Sequence, residues 1–77
     1  MSPSLPSIRA KELTRALERA GFVLRRQRGS HQLWFHPDLK KRVSVPVHTG
    51  DVPKGTLRQI LRDADLSTEE LLGLLKD

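Results

Sequence analysis

Two residues, Gly29-Ser30, stand between two runs that favour extended chain, Phe22 to Arg28 and His31 to His36. Gly-Ser is a turn signal, and a connection this short leaves its flanking strands antiparallel. The next connection, Pro37-Asp38-Leu39-Lys40-Lys41, is also short and leads into Arg42 to Pro46. There Val43 and Val45 alternate with Ser44, the pattern of a half-buried strand. The centre of the chain is therefore a three-stranded antiparallel meander. A small sheet must bury one face, so the segments on either side have to supply its cover.

Both flanks carry helical patterns. Over 10–20, Leu13 and Leu17 lie four apart with Ala10, Ala16 and Ala20 nearby, an apolar stripe that ends at Gly21. After the meander, 47–52 reads as a loop. Pro53 then suits a first helical turn, with Asp51 as a cap before it. Leu57, Ile60, Leu61 and Ala64 keep the i, i+3, i+4, i+7 spacing of a helix face. Ser67-Thr68-Glu69-Glu70 has the spacing of a capping box and opens a short leucine-rich helix. The fold class is α+β: two long helices on one side of a three-stranded sheet, in a two-layer α-β-β-β-α order, plus a short C-terminal helix.

With 77 residues the chain has room for one domain but not for a deep pocket and a large core together. We place a flexible leader at 1–8, where prolines and serines dominate, and the domain at 9–77. The absence of cysteine removes disulfides and thiolate metal sites. No apolar run nears the ~20 residues of a membrane span, and no signal pattern opens the chain, so it reads as cytoplasmic. A net charge of +5 favours an anionic partner, nucleic acid being the commonest.

The first hairpin concentrates that charge. Arg25, Arg26 and Arg28 run up to Gly29-Ser30, and His31 opens the following strand. A side chain of a type that titrates near neutral pH, beside clustered cations, is minimal equipment for acting on a phosphate backbone. The same hairpin reads equally as one whose polar side chains face water. A second phosphate-binding signal is Lys54-Gly55-Thr56 at the start of the later helix, where free N–H groups, close approach at Gly55 and the Lys54 charge coincide. Its alternative is a well-capped helix and nothing more.

The pieces Lys11-Glu12-Leu13, Leu17-Glu18-Arg19-Ala20-Gly21-Phe22, Arg28-Gly29-Ser30-His31, Val45-Pro46-Val47-His48 and Lys54-Gly55-Thr56-Leu57-Arg58-Gln59-Ile60-Leu61, in this order over about 10–66, resemble the HicA toxins. These are small message-cleaving ribonucleases of toxin–antitoxin pairs, each paired with a HicB antitoxin. The resemblance implies a fold like the double-stranded-RNA-binding domain, mRNA as substrate, and His31 in the catalytic place after the Gly-Ser pair. Family members often carry a second His directly after it; here that place is Gln32.

The chemistry can be argued beside the resemblance. RNA carries its own nucleophile, the 2′-OH. Cleavage needs a base for its proton, an acid for the leaving 5′-oxygen, and positive charge at the phosphorus centre. A histidine can fill either proton role, and Arg26, Arg28 and Lys54 are the nearest sources of charge. Ser30 joins Arg25, Arg26, Arg28, Lys54, Gly55 and Thr56 as an expected RNA contact. No cofactor is needed, and no metal site is expected: His31 and His36 are five apart on one strand and project from opposite faces. His48, in a loop, is solvated or reaches the RNA.

Alternation along 31–36 sorts His31, Leu33 and Phe35 to one face and Gln32, Trp34 and His36 to the other. Trp34 is expected inward, leaving Leu33 and Phe35 beside His31 as an apolar patch where an antitoxin covers the site or bases stack. In the reversed arrangement the helices would bury Phe35. The expected function is an endoribonuclease toxin. The alternatives are a nucleic-acid-binding module without catalysis and an interaction domain whose charge only keeps it soluble.

Overall fold

A computed structural model describes residues 4–48 and 50–76. Its elements are α1 (Ala10–Arg19), β1 (Val23–Arg28), β2 (His31–His36), β3 (Lys41–Pro46), α2 (Lys54–Ala64) and α3 (Thr68–Leu75). The strands form one antiparallel sheet in the order β1-β2-β3, with α1 and α2 against β3 and α3 against α1. This is the α+β, α-β-β-β-α arrangement with a further short helix.

Local chemistry sets the element ends. At the start of α1, Glu12 accepts from the Arg9 backbone N–H at 3.0 Å. At its end Phe22 N–H donates to Leu17 O at 2.9 Å and Gly21 N–H to Glu18 O at 3.0 Å, the paired bonds of a Schellman stop. Gly21 makes this possible with φ +103. The same two bonds close α2, from Leu66 to Leu61 O and Asp65 to Arg62 O, with Asp65 itself left-handed at φ 59. At α3 the capping box is complete: Glu70 N–H donates to Ser67 Oγ at 3.0 Å and Ser67 N–H to Glu70 Oε1 at 2.9 Å.

The core lies between helices and sheet. Leu13, Leu17, Leu57 and Leu71 are fully buried, with Trp34, Val43 and Val45 rising from the sheet to meet them. Truncating any one of these leucines to alanine costs about 2–5 kcal/mol. Leu71 belongs to α3, so the last helix is part of the core. Arg19 ties down its end, donating from Nη1 to the carbonyls of Leu74 and Lys76 at 2.7 and 2.8 Å.

Three local placements are decided by tertiary packing. Within the segment 1–8, Ile8 is 3% exposed, its carbonyl accepts from Val52 N–H at 2.8 Å, and Leu5 packs on the core. Burial of an isoleucine between the start of α1 and the approach to α2 outweighs the loop-like composition around it; residues 1–3 lie outside the described ones. Asp51 does not cap α2. It bridges to Arg9, and Pro53 occupies the cap position with no side-chain bond. Leu24 faces the helix side with Trp34, yet is 47% exposed, because the helices cover β3 and leave the edge strand β1 overhanging.

Candidate functional site

Residues paired across antiparallel strands point to the same side of the sheet. One row is Arg28, His31 and Pro46; the next is Arg26, Leu33 and Ser44; the third is Val23, Phe35 and Arg42. Trp34, in the alternate set with Leu24 and Val43, is 5% exposed under the helices. His31, Leu33 and Phe35 therefore occupy the open face. His31 is exposed, whereas Leu33 and Phe35 are half-buried among neighbouring side chains.

The two-residue turn sets Arg28 opposite His31 and Arg26 opposite Leu33, and an irregularity in β1 adds Arg25 to this face. The register runs Leu24 to Trp34 and then Arg26 to Leu33, leaving Arg25 as the extra residue of a bulge. Uninterrupted pairing from the turn would next set Leu24 opposite Phe35, on the open face. The extra residue sends Leu24 to the helix side with Trp34 and leaves Arg25 beside Phe35.

Two clefts result. Arg26, Arg28, His31, Leu33 and Ser44 line one of about 210 Å³. Arg25, Arg26, Leu33, Phe35 and Arg42 line the other, of about 450 Å³. Arg26 and Leu33 belong to both, so the clefts are continuous along the hairpin. The Arg25 guanidinium carbon lies 5.0 Å from the Phe35 ring centroid, a cation–π contact. Among the described residues no carboxylate pairs with Arg25, Arg26, Arg28 or Arg42, and no hydrogen bond restrains the His31 imidazole. A ring free at both nitrogens can accept or deliver a proton, and the arginines can hold an anion beside it.

The opposite face of the same hairpin is a support. Trp34 Nε1–H donates to Gln32 Oε1 at 3.1 Å, Gln32 Nε2 to Gln27 Oε1 at 3.1 Å, and Gln27 Nε2 to Gly29 O at 3.2 Å. This chain ties the turn before His31 to the core. Gln32 thus projects away from His31, so its side chain contributes nothing to the open face. His36 is also turned inward. Leu39 N–H donates to its Nδ1 at 3.1 Å, which puts the hydrogen of the neutral ring on Nε2, 3.1 Å from the Ala20 carbonyl.

The second phosphate-binding signal lies elsewhere. Lys54, Gly55 and Thr56 form the first turn of α2, in the helix layer, and line neither cleft. Ser30 lines neither cleft, but its carbonyl accepts from Val47 N–H, which holds the chain after β3 against the β1–β2 turn. That bond brings exposed His48, the next residue, to the His31 end of the sheet. The sequence reading missed Arg42 and Ser44. The signal was the four-residue connection Pro37–Lys40: counting back from it pairs His36 with Lys41, hence Phe35 with Arg42 and Leu33 with Ser44. The bulge has no comparable signal in the sequence.

No helix among the described residues is long and apolar enough to cross a membrane. No curated protein matches the chain. The family model described as the HicA toxin of bacterial toxin–antitoxin systems matches residues 10–66, which takes in α1, the whole sheet and α2. That match spans well over half of the chain, and the protein belongs to the HicA toxin family.

Proposed function

We propose that the protein is a metal-independent endoribonuclease that cleaves mRNA in the cytoplasm, with His31 transferring the proton, and that a HicB-like antitoxin holds it in check. The observation that carries this reading is the first cleft: an exposed imidazole without restraint, flanked by Arg26 and Arg28 that no carboxylate among the described residues neutralises. An RNA phosphate seated there meets the two guanidiniums, and its neighbouring 2′-OH or 5′-oxygen meets the imidazole. The 2′-OH attacks phosphorus, the P–O5′ bond breaks, and a cyclic phosphate and a 5′-OH result. His31 acts as base to the first oxygen or as acid to the second, and the arginines stabilise the charge gathering on the phosphoryl oxygens. One proton-transfer group contributes typically 10²–10⁴-fold, which describes a slow nuclease. An antitoxin seated on His31, Leu33 and Phe35 would close the cleft to RNA.

The test compares wild type with His31→Ala for cleavage of RNA in EDTA, RNA affinity and melting temperature. His31 is exposed and makes no hydrogen bond among the described residues, so its removal should change stability by no more than about 0.5 kcal/mol. The expected result is cleavage lost with affinity and melting temperature kept. Full cleavage by the variant would remove His31 from the mechanism.

A further inference from the structure

The larger cleft is not needed for proton transfer, yet it adjoins the cleft that is. We infer that it is a nucleotide subsite: one base of the RNA strand stacks on Phe35, while Arg42 and Arg26 hold the phosphates on either side of it. The inference rests on the nuclease reading for its substrate class.

Three observations carry it. The first is chemical: the cleft joins a half-buried aromatic ring to three guanidiniums, with no carboxylate in its lining. Stacking on an aromatic side chain with cations along the backbone is how single-stranded nucleic acid is held without duplex pairing. The second is size. About 450 Å³ falls within the range of small-ligand sites, enough for a base. The third is continuity. Arg26 and Leu33 wall both clefts, and His31 and Phe35 lie on one strand face four residues apart. At a strand rise of about 3.3 Å per residue that is roughly 13 Å, so a base at Phe35 belongs to a different nucleotide from the phosphate at His31.

Charge favours a strand of RNA as the occupant. Arg28, Arg26 and Arg25 lie along β1 and Arg42 lies across the sheet on β3, so cations flank β2 on both sides of the open face, which suits a polyanion. Arg25 already shields one approach to Phe35, so an entering base exchanges one planar π partner for another at little cost in solvation.

The experiment measures binding on the His31→Ala protein, which leaves RNA intact, with a short unstructured RNA and the same RNA carrying abasic nucleotides. Phe35→Ala should weaken the intact RNA about 5- to 140-fold, the range of one lost base stack, and leave the abasic RNA unchanged. Phe35→Trp should restore binding. Arg42→Ala should lower the log–log salt slope by about 0.7, one phosphate contact on a single strand. Circular dichroism checks each variant; Arg42 is exposed, so its variant tests the proposal even should Phe35→Ala fail to fold. Unchanged affinity of Phe35→Ala for intact RNA overturns the subsite, as does an equal loss on abasic RNA. An unchanged slope for Arg42→Ala does the same. A loss confined to an acidic protein partner would make the cleft a protein interface instead. The nuclease reading fails on a different measurement, the absence of wild-type cleavage in EDTA.

Discussion

Substituting Gly21 by alanine probes the joint that holds the sheet to α1. Gly21 sits at φ +103, and a Cβ there would lie 2.6 Å from Nε2 of His36. The imidazole has little room to retreat. Its two nitrogens are engaged by Ala20 O and Leu39 N–H, and its ring stands edge-on to Phe22 at 5.2 Å. The backbone strain costs about 1–3 kcal/mol, and displacing the imidazole forfeits a hydrogen bond worth about 1 kcal/mol. Together Gly21→Ala should lose about 2–4 kcal/mol. For a domain of this size that lowers the melting temperature by on the order of 10–25 °C. Urea unfolding followed by the fluorescence of Trp34, the single tryptophan and a buried one, reads the loss directly. Adding His36→Ala removes the obstruction, so the double variant should be less destabilised than the sum of the singles. A Gly21→Ala protein within about 0.5 kcal/mol of wild type, the range of an inconsequential surface change, would refute the close approach.

Gln32→Ala should cost about 1–3 kcal/mol in the same urea titration, because it strands the largely buried Trp34 N–H, while RNA affinity stays as in wild type. Phe35→Asp should weaken the antitoxin complex in a pull-down and leave the melting temperature within a few degrees, since Phe35 lies outside the buried core; an unfolded variant would contradict the assignment of faces. Lys54→Ala should lower the salt slope of RNA binding by about 0.7 if the strand reaches α2, and an unchanged slope would take Lys54 off its path.

Much of this protein follows from local rules acting on neighbouring residues. Gly29-Ser30 and Pro37–Lys40 are too short for anything but antiparallel turns, Ser67 and Glu70 close their own capping box, and alternation along 31–36 separates His31 from Trp34. These features depend on steric and hydrogen-bond preferences within a few residues, so they could be read directly. The end of the open face around Phe35 could not. Whether Leu24 faces the helices and Arg25 reaches Phe35 turns on one bulged residue in β1, because a shift of one residue moves every side chain beyond it to the other face. Arg42 reaches Phe35 only through pairing across a second strand. Ile8 enters the core only because the chain returns at Val52 to receive its carbonyl. Each of these outcomes is set by partners distant in sequence. Partners distant in sequence make these choices, and they place Arg25 and Arg42 around Phe35.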